Sequence, residues 1–133
     1  MIYYKKRRKY KYNLHNQYAI NTGIKADRPG QHGLLNITAK GMLTIGTGYS
    51  WDGPSGISVD TTNFMRGSLV HDALYQLMRE GIVDIKHKGK ADRLLRAICR
   101  TDGMSRVRAW YVWRAVKRFG KSSCMPDMLE AGN

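Results

Sequence analysis

A histidine and two aspartates, His71, Asp72 and Asp92, are the residues of this 133-residue chain best suited to move a proton. His71 and Asp72 stand side by side in the stretch GSLVHDALYQLMREG, residues 67 to 81, and Tyr75 follows one helical turn later. On a helix His71 and Tyr75 share a stripe with Phe64 and Ser68, and Asp72 lies just beside it. That stripe is distinct from the apolar arc of Val70, Ala73, Leu74 and Leu77, so its polar groups can open onto a cleft rather than the core centre. Asp92 comes 21 residues after His71. Two antiparallel helices with a short connection would bring it to the imidazole. A carboxylate bonded to one ring nitrogen fixes the tautomer and leaves the other nitrogen to take a proton from water. Asp72 would point elsewhere and could hold a cation. The plainer alternative is structural. Asp72 would pair with a nearby arginine, His71 would bond a backbone carbonyl, and Asp92 would pair with Lys88 or Arg96 one turn away. A short His71–Asp92 distance with an open approach favours catalysis, and a filled approach favours a structural role.

A second element precedes this helix. The glycine-rich stretch GTGYSWDGPSG, residues 46 to 56, carries Asp52 in its middle. Such a loop can turn its carbonyls inward, and hard cations such as calcium take carbonyl and carboxylate oxygens. Elsewhere, His15, His32 and His87 lie in polar surroundings and read as surface residues. Asp60 and Asp84 read as cap and loop residues.

These residues need elements to position them, and the hydrophobic pattern supplies an α+β chain. Leu35, Ile37 and Ala39 alternate, Lys40-Gly41 offers a turn, and Leu43 and Ile45 alternate again, which predicts a β-hairpin. Residues 24–33 read as a loop by composition. From residue 61 the period becomes helical, with capping candidates at Asp60 to Thr62 and a stop at Gly81. A second helix turns Ala91, Leu94, Leu95 and Ile98 inward, and a third turns Ala109, Val112, Trp113 and Val116 inward. The expectation is one domain over 1–133: a basic arm (1–12), antiparallel β-hairpins (13–50), a glycine-rich loop (51–60), three helices (61–120) of which the first two are antiparallel, and a short polar tail (121–133).

The formal net charge is +13, from 23 Lys and Arg against 10 Asp and Glu. That field favours polyanions: anionic lipid, nucleic acid or an acidic protein. Two regions concentrate it. The arm MIYYKKRRKYKY mixes cations with tyrosines and suits either an edge strand, with Tyr10, Tyr12 and Leu14 on one face, or a contact arm. The third helix carries Arg106, Arg114, Lys117, Arg118 and Lys121 opposite its apolar face, with Trp110 among them. This face suits an anionic surface, with Trp110 as an interfacial anchor. No run approaches the roughly 18 apolar residues of a membrane span. The charged N-terminus lacks the apolar segment of a secretory signal. Two cysteines, Cys99 and Cys124, make neither a disulfide framework nor a zinc spacing, and imply a reduced, intracellular setting.

The motifs DGPSG, HDALY and KADRLL together resemble the phospholipase A2 superfamily, especially its minimal viral and prokaryotic forms. That resemblance implies His71 as general base, Asp92 orienting it, and Tyr75 supporting Asp92. It implies calcium held by Asp72 and by the loop near Gly53 and Ser55, with Asp52 as an additional carboxylate, to polarise the ester carbonyl. The chain departs from the superfamily's loop at Pro54-Ser55, and its N-terminal sheet region is larger. A closer resemblance spans nearly the whole chain. The strands, DGPSG, LVHDALY, ADRLL and DGMSRVRAWYVWRAVKRFG look like a family of small, uncharacterised phage and prophage proteins. It implies a phage protein made in the host cytoplasm and able to join the virion. Two functions follow as expectations. One is a calcium-dependent lipid-ester hydrolase acting on anionic membranes as the genome enters or during lysis. The other is a non-enzymatic basic virion protein docking on DNA or on acidic phage structural proteins. A nuclease-like protein ranks below both, because one His-Asp pair and one distant Asp are a thin set for phosphodiester cleavage.

Overall fold

The computed structural model describes residues 2, 4–6, 12–51, 62–120 and 124–125. Antiparallel strands come first and three helices follow, as the pattern predicts. The strands form two sheets. One has the order β1 (Tyr4–Lys6), β2 (Tyr12–Leu14), β7 (Ser50–Trp51). The other has the order β3 (Tyr18–Asn21), β6 (Met42–Ile45), β5 (Leu35–Ile37), β4 (Gly30–His32).

The predicted hairpin is β5–β6. Leu35 faces Ile45 and Ile37 faces Leu43 across it, and all four are buried. Period-2 alternation puts these pairs on one face and packs them on the helices. Ala39 departs from the expected strand: it is exposed in the turn, where Thr38 accepts from Gly41 N and bonds Met42 N. The segment expected as loop contains β4, paired with β5 through Gly30↔Ile37 and His32↔Leu35. Its Gly-Gln-His sequence has little strand preference. The open edge of β5 supplies the backbone partners that recruit it.

Helix α1 (Thr62–Arg79) ends where expected. Gly81 adopts φ +77°, its N–H donates to Met78 O, and Ile82 N–H donates to Leu77 O. This is the left-handed closure that glycine makes without steric cost. A short 3-10 turn (Ile85–His87), capped by the Asp84 side chain on Lys86 N, leads into α2 (Lys88–Thr101). Ser105 then caps α3 (Arg106–Phe119) through Arg108 N. The predicted inner residues Ala91, Leu95, Ile98, Ala109 and Val112 are buried, and Leu94, Trp113 and Val116 are half-buried. The main core joins the inner faces of the sheets to α1, and a smaller cluster of Phe64, Leu95, Cys99, Met104, Ala109 and Val112 joins the helices.

Helices α1 and α2 are antiparallel. Contacts at Arg66, Gly67 and His71 meet Asp102, Leu95 with Cys99, and Asp92, so position falls along α2 as it rises along α1. Gly67 sets their separation. A β-carbon there would lie 2.9 Å from both Cys99 Sγ and Leu95 Cδ1. Arg66 staples the end: Nε and Nη2 grip the Asp102 carboxylate, each at 2.9 Å, while Nη1 donates to Tyr18 OH on β3. Trp51 Nε1 donates to Ser68 Oγ, fixing the end of β7 against α1 one turn before His71.

Both cysteines are free thiols and buried. Cys124, in the segment expected as tail, packs in the main core. Burial pushes the Cys99 thiol up to about 12. Among the described residues no helix is long and apolar enough to cross a membrane. Tyr10, the cap candidate Asp60 and Lys121 lie outside the described residues.

Because Gly67 holds α1 and α2 at contact, Gly67→Val is expected to lower stability by about 2 kcal/mol through overpacking. Urea unfolding followed by circular dichroism checks this. A midpoint equal to that of the native chain would show that Gly67 does not set the helix spacing.

Candidate functional site

Asp92, on the first turns of α2, is wholly buried. A carboxylate in such a place must be met by donors, since a bare buried charge is very costly. Three side chains meet it. His71 Nε2 and Tyr75 OH, one turn apart on α1, reach Oδ1 at 2.7 and 2.6 Å. Lys88 Nζ, one turn before Asp92 on α2, reaches Oδ2 at 2.7 Å. The predicted stripe thus brings His71, Tyr75 and Asp92 together.

The predicted alternative for Asp92 holds at the same time. The i, i+4 pair with Lys88 takes one carboxylate oxygen and His71 takes the other. The alternative for His71, a backbone carbonyl, is not what its Nε2 bonds. Lys88 does more than pair with Asp92. Its ammonium also donates to Val116 O at 3.1 Å and Lys117 O at 3.3 Å, the last carbonyls of α3. All three N–H groups are thereby used, and a cation sits where a helix C-terminus favours one.

Gly120 completes this junction. A β-carbon there would lie 2.6 Å from Tyr75 OH and 2.6 Å from Val116 O. The phenol therefore fits between α3 and Asp92 only because residue 120 has no side chain. Neither Gly120 nor the α3 contacts of Lys88 carried a sequence signal beyond a glycine following a helix.

The electrostatics follow from these contacts. Burial alone pushes the Asp92 carboxyl up, but the bonds from His71, Lys88 and Tyr75 outweigh it and hold the group below the usual carboxylate range. Burial, then the bond to Asp92, pushes the Tyr75 phenol well above its ordinary value, so it stays protonated and donates. The ionised carboxylate only accepts, so the proton between it and the ring belongs to His71 Nε2. In the neutral ring Nδ1 is then the bare nitrogen. Among the described residues nothing bonds Nδ1, and His71 as a whole is buried, 6% exposed. The Tyr75 ring packs on the imidazole with centroids 4.0 Å apart and further restricts its rotation.

Asp72 is half-buried beside the site and is engaged by other groups of the protein. Asp52, Gly53 and Ser55, the rest of the expected calcium set, lie outside the described residues. Among the described residues no group of three or more His, Cys, Asp or Glu could hold a metal. Calcium takes six to eight oxygens, so Asp72 would be one ligand of a set completed elsewhere. His15 is exposed, while His32 and His87 are half-buried, with His32 Nε2 bonded to Arg28 O.

Of the expected anionic-surface residues, Arg106, Trp110, Arg114, Lys117 and Arg118 are all exposed on α3. The Arg114 guanidinium lies over the Trp110 ring at 5.5 Å. Val107 and Tyr111, which carry no charge to mark them in the sequence, share this exposed face.

A family described as a protein of unknown function, DUF1353, matches residues 40–116, and the chain belongs to it. The match includes His71, Asp72, Tyr75, Lys88 and Asp92 and stops before Gly120. No curated protein and no solved structure matches the chain.

The folded-state carboxyl of Asp92 is depressed, so its contribution to stability is present above the ordinary carboxylate range, about pH 4, and is lost as pH falls through its folded value. Asp92→Asn is expected to cost on the order of 3 kcal/mol at pH 7, because it leaves Lys88 without its carboxylate. That deficit should shrink as pH falls below about 4. Thermal unfolding of both proteins from pH 2 to 7 checks it, and a deficit independent of pH would refute an ionised, network-held Asp92.

Proposed function

We propose that this protein is a lipid-ester hydrolase of phospholipase A2 type, with His71 as its general base. One observation carries this: the His71 ring is bonded through Nε2 to a buried carboxylate that Tyr75 and Lys88 also hold, and Nδ1 makes no hydrogen bond among the described residues. A general base needs one ring nitrogen held and the other available to water, and the bond to Asp92 supplies the first of these.

The chemistry is acyl transfer to water. Nδ1 takes a proton from a water molecule as the water oxygen bonds the ester carbonyl carbon, and the carbonyl π pair moves to oxygen. The tetrahedral oxyanion collapses, the acyl C–O bond breaks, and the leaving alkoxide takes the proton back from Nδ1. A fatty acid and a lysolipid result. Asp92 holds the ring in the productive tautomer throughout, and Tyr75 and Lys88 hold Asp92. In this mechanism calcium, with Asp72 among its ligands and others from Asp52, Gly53 and Ser55, would polarise the ester carbonyl. The substrate class is an anionic membrane lipid, which suits a chain of net charge +13. The resemblance to phage proteins gives the setting: a protein acting on membranes as a phage genome enters a cell or as the cell lyses.

Fatty-acid release from phosphatidylglycerol vesicles in the presence of calcium tests the proposal. His71→Gln is expected to lower the rate by roughly 10²- to 10⁴-fold, the usual contribution of a general base. Release that is absent from the native chain, or unchanged in His71→Gln, would refute it and favour a non-enzymatic basic virion protein. Calorimetry separates the metal from the base. Calcium binding should occur in the native chain and disappear in Asp72→Asn, and no binding to the native chain would remove calcium from the mechanism.

A further inference from the structure

The outer face of α3 is unusual in composition. Val107, Trp110, Tyr111, Arg114 and Arg118 recur at helical spacing along one stripe, with Lys117 at its edge. Their exposure is large for apolar side chains: 78% for Val107, 60% for Tyr111 and 45% for Trp110. No acidic residue occurs anywhere from 106 to 119. Val107, Trp110 and Tyr111 lie in the first half of the helix beside the exposed Arg106, and Arg114, Lys117 and Arg118 lie in the second. The inner side of the helix is spent on the core, through Ala109 and Val112.

We infer that this face docks the protein on an anionic lipid bilayer, with α3 lying in the plane of the headgroups. Trp110 and Tyr111 carry amphipathic rings suited to the interfacial layer. Val107 beside them adds apolar area that lipid can bury. The phosphates of nucleic acid offer an isopropyl group nothing, so the stripe favours lipid over nucleic acid. Arg114, Lys117 and Arg118 then meet the headgroup phosphates, and their stems lie along the apolar boundary. Arg114 over the Trp110 ring holds cation and ring at the same depth. A helix of 14 residues spans about 21 Å, which sets the length of the footprint.

The face is also joined to the candidate site. The last carbonyls of α3, on Val116 and Lys117, are held by the same Lys88 ammonium that holds Asp92. Docking through α3 therefore fixes the orientation of His71 and Asp92 relative to the bilayer. This extends the hydrolase proposal by naming the surface from which the substrate is taken, but the docking itself does not require hydrolysis.

The test is cosedimentation of the full chain carrying His71→Gln, which slows turnover, with vesicles of phosphatidylglycerol or of phosphatidylcholine. Strong, salt-sensitive partition onto phosphatidylglycerol and weak partition onto phosphatidylcholine are expected. Combining Arg114→Gln, Lys117→Gln and Arg118→Gln should weaken the partition by about a hundredfold. Combining Val107→Ser, Trp110→Ser and Tyr111→Ser should weaken it by at least about tenfold. A control combining Lys25→Gln, Lys40→Gln and Lys86→Gln removes the same charge from other exposed positions and should change it by less than about twofold. All these side chains are exposed, and unchanged melting temperatures confirm folding. Equal loss in the control would mean diffuse attraction and overturn the inference. Binding to duplex DNA through the α3 residues, with no partition onto vesicles, would overturn it in favour of nucleic acid. Partition that holds while native fatty-acid release fails would retain the surface and reject the hydrolase.

Discussion

Asp92 is a carboxylate with no access to water, and much of the helical half of the molecule is arranged around satisfying it. In a buried setting each charged oxygen needs donors at hydrogen-bond distance, or the ion is better off protonated or outside. The donors come from α1 and from the first turn of α2, and the last of them continues to α3. Each contact fixes a larger feature. His71 and Tyr75 can both reach Oδ1 only if α1 and α2 approach closely, which Gly67 permits. Tyr75 keeps its direction only if the end of α3 passes without a side chain, which Gly120 permits. Lys88 reaches two helices only because α2 begins at that residue.

The parts of this arrangement that were legible in the sequence are those governed by periodicity. A 3.6-residue repeat puts His71 over Tyr75 whatever the rest of the fold does, and a short link between two helices makes Asp92 a natural partner. The β5–β6 pairing was legible for the same reason, since alternation and a Lys-Gly turn determine register. What escaped was set by neighbours distant in sequence. Strand β4 exists because β5 offers an edge, and nothing in Gly30 to His32 announces it. Cys124 is buried against core residues distant in sequence, which local composition does not reveal. The role of Gly120 depends on where a phenol 45 positions earlier happens to point. Periodicity already turned Ala109 and Val112 inward, as the packing has them, but an apolar residue on the outer face carries no signal of its own, so Val107 and Tyr111 stand out only by their exposure.

The two sequence interpretations of Asp92, ion-pair partner of Lys88 or orienting group for His71, prove to be complementary. A carboxylate has two oxygens and about four lone-pair sites, so it can serve both. The combination has a physical logic. If Asp92 were held by His71 and Tyr75 alone, its second oxygen would be buried without a donor. Lys88 supplies a compensating cation at the other carboxylate oxygen. A structural ion pair therefore makes the base arrangement tolerable to the fold.

The same reasoning connects the buried site with the surface. A net charge of +13 raises the positive potential over the whole molecule, and in a small domain that self-repulsion works against compactness. A second buried cation would be penalised in such a field, whereas a buried anion is stabilised by it. The Lys88 ammonium that bonds Asp92 also bonds two carbonyls of the helix whose outer face carries Arg114, Lys117 and Arg118. The excess of positive charge that would draw α3 toward anionic headgroups thus also favours the ionised carboxylate inside. On a bilayer the headgroups would neutralise part of that outer charge and relieve the repulsion along α3. The contact of Lys88 with the α3 carbonyls is short-range and hydrogen-bonded, so it would persist as the longer-range field is screened. The geometry around His71 is in this way insulated from the charge changes that docking itself would bring.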